Sequence, residues 1–245
     1  MVAAAKLLRH VGRQRAGQFL AEGPNLVEAA YQKGLVVEVF ATESAHARFE
    51  SLLGRAPINL ITDKAAKALS DTVTPVGLFA VCTLPEARSV ELVASPRLVL
   101  VAVETSEPGN AGTLIRIADA TGADAVVLAG DAVDPYNGKC MRASAGSIFA
   151  LPVIRDPDTT GVVSSLRGAG LQVLATTLDG ETSLEDVDLA IPTAWMFGSE
   201  AHGLNPDLAS LADGRIRIPM RGSAESLNVA AAAAICMYES SRALV

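Results

Sequence analysis

Residues 101–130, VAVETSEPGNAGTLIRIADATGADAVVLAG, decide how the second half of this chain folds. An apolar β-branched run leads into a Pro-Gly turn, then a helical pattern, then a second apolar run. That is the outline of two parallel strands joined by a crossover helix. The same alternation continues outward: RLVLVAVE, DAVVLAG, SIFALPVI, LQVLATTL, TAWMFG and GRIRIPM read as strands, with helical patterns between most of them. Near-continuous apolar strands of this kind belong to a mainly parallel sheet covered on both faces.

In such sheets ligands sit beyond the carboxyl ends of the strands. Three of the following loops are rich in glycine and polar groups: ETSEPGNAG, GSEAHGLNP and MRGSAESLN. The first has the outline of a dinucleotide site, but its glycines, Gly109 and Gly112, are spaced GxxG rather than GxGxxG, and no acidic residue is placed to end the second strand against a ribose. A nicotinamide oxidoreductase is thereby disfavoured. Asn110 stands at the helix start and suits an N-cap; Arg116, two turns on and flanked by isoleucines, needs a phosphate or carboxylate partner or a snorkelling position. In the second loop Gly198 permits close backbone approach and Glu200 supplies a carboxylate, while His202 in its glycine turn receives no catalytic role. The third loop runs into IPMRGSAESLNVAAAAAICMYE, residues 218–239, whose alanine run reads as a fully buried helix with Ser226 as its cap.

Residues 1–84 carry a smaller α/β alternation: GQFLAEG, VVEVFA, INLIT and GLFAVCTL as strands, and NLVEAAYQKG, ESAHARFESLLG and DKAAKALS as helices. The proline-bearing piece at 85–96 reads as a linker before a second domain over 97–245. Charge follows the same division. The first part holds nine Lys/Arg against seven Asp/Glu, the second eleven against twenty, within a net charge of −7. Lys6, Arg9, Arg13 and Arg15 all precede the first acidic residue, Glu22, and form a basic arm of the kind that meets phosphates. Cys82, Cys140 and Cys236 lie far apart without CxxC spacing or a histidine cluster, so reduced structural thiols and no metal are expected. No apolar run approaches the roughly 20 residues of a membrane span, and the first residues lack a secretory signal, so a cytoplasmic location is expected.

Taken together, PGNAGTLIRIADATGAD, FGSEAHGL and IPMRGSAESLNVAAAAAICMYE resemble, in order, the three motifs of the SpoU (TrmH-like) RNA ribose 2′-O-methyltransferases of the SPOUT superfamily. RASAGSIFALPV, residues 142–153, fits a segment between them, and FLAEGPNLVEAA in the first part is similar to the family's small L30-like RNA-recruiting domain. Ile117 departs from the pattern, which commonly has a small residue after the motif arginine. The resemblance implies an α/β fold with a C-terminal trefoil knot, a homodimer through the catalytic domain, and S-adenosylmethionine as methyl donor. It implies a catalytic set of Arg116, Asn110, Glu200, Ser226 and Asn228, and a cofactor set of Gly198, Ile218, Leu227, Met220 and Thr177. RNA contacts would come from Lys6, Arg9, Arg13, Arg15 and Arg142. Ribosomal RNA, 23S, is the expected substrate and transfer RNA the alternative; a knotted RNA-binding protein without catalysis is a further one.

Overall fold

The computed structural model describes residues 1–54, 56–86, 89–199 and 201–244, the side chain of Leu92 excepted. The basic arm is not an extended tail. It folds into two short helices, α1 (Val2–Lys6) and α2 (His10–Ala16). β1 (Gln18–Glu22), α3 (Pro24–Gln32), β2 (Val36–Ala41), α4 (Glu43–Arg48), β3 (Ile58–Leu60), α5 (Asp63–Ala68) and β4 (Leu78–Thr83) follow. Their four strands form one sheet in the order β1-β4-β2-β3, in which β4 runs antiparallel to both neighbours and β2 and β3 are parallel.

The second sheet is built from β5 (Leu98–Val103), α6 (Pro108–Ala120), β6 (Ala125–Ala129), α7 (Gly138–Ser144), β7 (Val153–Asp156), α8 (Thr159–Gly168), β8 (Gln172–Thr176), β9 (Thr182–Ser183), β10 (Thr193–Phe197), α9 (Pro206–Ala209), β11 (Gly214–Arg217) and α10 (Val229–Ala243). Its order is β7-β6-β5-β10-β8-β11-β9, and every pairing is parallel. The strand read at SIFALPVI begins later than expected: residues 147–149 form one turn of tight helix and the strand starts at Val153, because Gly146 at φ +101 and Pro152 bracket a turn.

All six residues of β5 are buried, which is why its sequence lacks the alternation of a half-exposed strand. Leu98, Leu100 and Ala102 point to one face; Val99, Val101 and Val103 point to the other. α8 and α9 cover the second face with Val162, Val163, Leu166 and Ala209. On the first face lie α6, α7 and α10, where α6 and α7 approach so closely that a Cβ on Gly112 would stand 2.2 Å from the Cys140 carbonyl oxygen. Ile117 fits here, partly buried against this core.

That first-face core does not stop at the linker. It continues through α3 into Phe19, Ala21, Val39, Ala41, Leu78, Ala80 and Cys82 of the four-stranded sheet, and α7 packs against β1. Phe19 lies 4.9 Å from Tyr136 and 5.7 Å from Phe149, ring centre to ring centre. Burial pushes the Cys82, Cys140 and Cys236 thiols up to about 12, as fits unreactive core residues. The opposite face of the small sheet, Leu20, Phe40, Phe79 and Val81, is covered by Ala4 and Leu7 on the α1 side and by Ala66 and Leu69 on the α5 side.

Candidate functional site

The central strands β10, β8 and β11 end beside one another, and the loops leaving them enclose a cleft of about 790 Å³. Residues 176–179 after β8, 197–199 and 201–204 after β10, Arg215, Ile216, Ile218 and Met220 at and beyond the end of β11, and 225–229 around the start of α10 line it. The loop after β10 folds back on itself, Ser199 and Gly203 exchanging backbone hydrogen bonds of 3.1 and 2.9 Å. Gly198 is required there: a Cβ would sit 2.0 Å from the Gly203 carbonyl carbon.

Thr177, Gly198, Ile218, Met220 and Leu227 all line this one cleft, together with Ser226 and Asn228. Ile218 and Met220 lie past the end of their strand, which stops at Arg217. Asn110 and Arg116 do not line the cleft. Arg116 is exposed on α6, which packs against α10, and among the described residues it forms no ion pair; Asn110 lies within the first turn of α6. Glu200 lies outside the described residues.

Two helix caps differ from the sequence reading. The cap of α10 is Asn228, not Ser226: its Oδ1 accepts the Ala230 N–H at 2.9 Å, leaving its amide NH2 available at the cleft wall. The cap of α6 is Glu107, with Pro108 in the first turn where its missing N–H is harmless; Glu107 accepts from Gly109 N–H at 3.0 Å and from Lys139 Nζ at 2.6 Å. Nor is α10 buried all round. Ala233, Cys236, Met237 and Ser240 face inward, and Ser240 accepts a 2.8 Å hydrogen bond from the buried Trp195 indole, while Ala231, Ile235 and Tyr238 are exposed. An alanine run does not distinguish a buried helix from one with a single buried face.

The basic residues divide. Lys6, Arg9 and Arg15 are exposed. Arg13 is not available to RNA and corrects the expectation made for it: it is 3% exposed, donates from Nε and Nη2 to Asp134 Oδ2 at 2.9 and 2.5 Å, and from Nη1 to the Leu7 and Leu8 carbonyls. Arg142 is likewise committed internally, forked between Glu22 at 3.0 Å and Asp71 at 2.7 Å. Sequence spacing could not show either, because all three carboxylate partners belong to the half of the fold opposite their arginine.

One cleft feature escaped the sequence reading. Arg215 bridges Asp179 at 2.5 Å and Glu181 at 3.0 Å, across the loop after β8. The Arg215 hydrogen bond holds the Asp179 carboxyl below its usual range, and Asp179 in turn raises the guanidinium. The only hint in the sequence was an acidic pair, Asp179 and Glu181, at a strand end. Among the described residues no group of His, Cys, Asp or Glu could hold a metal ion.

A model described as the SpoU rRNA methylase family matches residues 97–238. The chain belongs to that family. A second model, the MRM3-like substrate binding domain, matches residues 3–80. The chain is 36% identical over 227 residues, 92% of itself and 89% of the relative, to the 23S rRNA (guanosine(2553)-2′-O)-methyltransferase RlmP of Bacillus subtilis. It is 32% identical over 244 residues, 94% of itself and 84% of the relative, to a 23S rRNA (uridine(2479)-2′-O)-methyltransferase of Streptomyces viridochromogenes. Among solved structures, the SpoU methyltransferase AviRb from Streptomyces viridochromogenes in complex with AdoMet superposes with a TM-score of 0.85 at 32% identity, covering 98% of this chain and 96% of that one. Membership in this family makes the chain an RNA 2′-O-methyltransferase.

Proposed function

We propose that this protein transfers the methyl group of S-adenosylmethionine to a ribose 2′-hydroxyl of 23S ribosomal RNA. The carrying observation is the cleft, where residues from three loops far apart in sequence meet at the carboxyl ends of adjacent strands. Its size and mixed lining fit a nucleoside with an amino-acid tail: Met220 and Leu227 present apolar surface, Thr177, Ser226 and Asn228 present hydrogen-bonding groups, and Glu225 adds negative charge toward a cationic sulfonium, the Asp179 charge being taken up by Arg215. The relatives' printed substrates support 23S rRNA, with guanosine in one and uridine in the other.

The sulfonium supplies an activated methyl, so the S–CH3 bond breaks as the O–CH3 bond forms and the hydroxyl loses its proton. The protein's task is alignment and charge. Ser226 and Asn228 hold the ribose at the cleft. Arg116 stands on the helix next to α10, whose first turns wall the cleft, and grips the RNA phosphate; guanidinium groups normally stay protonated and make awkward bases. Asn110 and Glu200 complete the set implied by the family motifs. Lys6, Arg9 and Arg15 recruit the RNA through the unit formed by residues 1–84, with 85–96 as its link to the catalytic unit. The exposed stripe of Ala231, Ile235 and Tyr238 on α10 is the surface through which a second copy makes a homodimer, and equilibrium sedimentation giving only monomer at micromolar concentration refutes this. The C-terminal segment is proposed to be threaded as the family's trefoil knot, and the working compartment to be the cytoplasm, where ribosomal RNA resides.

The test pairs calorimetry with transfer of a tritiated methyl group to unmodified 23S rRNA. Arg116→Ala abolishes transfer and leaves S-adenosylmethionine affinity within about 3-fold. Near-normal transfer by this variant refutes the assignment.

A further inference from the structure

We infer that Arg215 is a positioning residue for the methyl donor, holding the loop of residues 177–181 in its cleft-lining conformation through Asp179 and Glu181. This rests on the donor occupying the cleft. β11 lies between β8 and β9, and Ile216 stands level with Thr176 on one side and with Thr182 on the other. Residues 177–181 must therefore arch across β11 to pass from β8 into β9. The arch touches the backbone of that strand: a Cβ on Gly180 would lie 2.6 Å from the Arg217 nitrogen and 2.8 Å from the Arg215 carbonyl oxygen. At its near end the Thr177 N–H donates to the Ile216 carbonyl at 3.0 Å. Thr177, Leu178 and Asp179 line the cleft, so the seating of the arch sets the shape of that wall.

No buried apolar side chain anchors the arch, since Leu178, Asp179 and Glu181 are all exposed. Two arginines of β11 hold it instead. Side chains alternate along a strand, so Ile216 turns into the core while Arg215 and Arg217 share the face that the arch crosses. Arg217 Nη1 donates to the Gly180 and Glu181 carbonyls at 2.9 and 2.8 Å and fixes the backbone at the far end. Among the described residues only Arg215 pairs with the two acidic side chains, Nη2 with Asp179 at 2.5 Å and Nη1 with Glu181 at 3.0 Å. Asp179 belongs to the cleft wall, and Glu181 does not line the cleft. A planar guanidinium joined to carboxylates on both sides of Gly180 fixes their separation, which the single point charge of a lysine does not. Exposed ion pairs are individually weak, but a loop ordered beforehand spares the donor the cost of ordering it. Both Nη groups of Arg215 already serve carboxylates, which disfavours a direct contact with the donor's own carboxylate.

The test is a double-mutant cycle on the full chain, with S-adenosylmethionine affinity read by calorimetry for wild type, R215Q, E181Q and R215Q/E181Q. R215Q should weaken donor binding by about 3- to 10-fold and E181Q by about 2- to 3-fold, the range of one or two exposed ion pairs. The double variant should match R215Q, because Glu181 has no route to the donor once Arg215 is gone. R215K, with one charge and no fork, should fall between wild type and R215Q. In transfer assays the donor KM should rise more than kcat falls, while the KM for RNA holds. R167Q removes an ion pair with Asp213 at the entry to β11 but off the cleft, and should leave donor affinity within about 2-fold of wild type. Additive losses in the cycle, or a loss in R167Q as large as in R215Q, overturn the inference. So does tighter binding by E181Q, which would put the donor's carboxylate on Arg215 itself. Should R215Q fail to fold, R215K, E181Q and R215K/E181Q make the same cycle. A wild type that binds no S-adenosylmethionine sinks the methyl-donor reading, whereas wild-type binding with R215Q unchanged sinks only the role given to Arg215.

Discussion

Replacing Asp134 with alanine should uncouple the two halves of the molecule energetically while leaving the cleft intact. Arg13 is 3% exposed and gives two of its guanidinium nitrogens to this one carboxylate. Asp134 also accepts from the Tyr136 N–H at 2.9 Å and pairs with His10 Nδ1 at 2.7 Å. Removing one partner of a buried pair costs about 3 to 5 kcal/mol, since the charge left behind remains desolvated. Arg13 keeps the Leu7 and Leu8 carbonyls, which puts Asp134→Ala at the lower end, about 3 kcal/mol. In urea, with a slope of about 3 kcal/mol/M, the midpoint falls by roughly 1 M. Calorimetry should find S-adenosylmethionine affinity within about 3-fold of wild type, because no cleft residue touches the pair. The double variant Arg13→Met, Asp134→Ala should recover most of the loss, as no unpaired charge then remains. A single-variant loss below about 1 kcal/mol, or a double variant worse than the sum of the singles, refutes the reasoning. The pH dependence has a definite sign. Burial pushes the Asp134 carboxyl up, but hydrogen bonds from His10 and Arg13, the Arg13 charge and the Tyr136 N–H outweigh it and leave it below its ordinary value of 3.8. Its contribution is present above that value and is lost as pH falls through the lower folded value, so acid should shrink the gap between wild type and Asp134→Ala.

Three further substitutions probe local readings. Gly112→Leu should destabilise by roughly 1 to 3 kcal/mol in the same urea assay, because even its Cβ meets the Cys140 carbonyl at 2.2 Å and α6 and α7 must separate; an unchanged midpoint would show that the helices have slack. Asn228→Ala should lower stability by about 1 kcal/mol as well as transfer, whereas Ser226→Ala should lower transfer alone, since only Asn228 caps α10. Equal stability losses in both would put the cap back on Ser226.

Much of the architecture was legible residue by residue. Strands such as β5 and β10 announce themselves because fully buried parallel strands are almost wholly apolar, and the five residues that motif order grouped, Thr177, Gly198, Ile218, Met220 and Leu227, share one cleft. What went wrong was local and has a physical cause. Ser226 and Asn228 are both good caps, and the choice depends on where the backbone turns from extended to helical, which one or two residues decide. The polyalanine helix has no amphipathic signature, so its exposed stripe was invisible.

From the sequence alone came the parallel α/β frame, the smaller α/β unit before it, and two of the three loops that enclose the cleft, those after β10 and β11, because hydrophobic periodicity and turn residues are local properties of a chain. Only the tertiary structure decided which charges are free. Arg13 and Arg15 are two residues apart and look alike in the sequence, yet one is locked to Asp134 and the other is open to solvent. An ion pair spanning 121 positions is set by how the two sheets share one core, and no spacing rule along the chain encodes it.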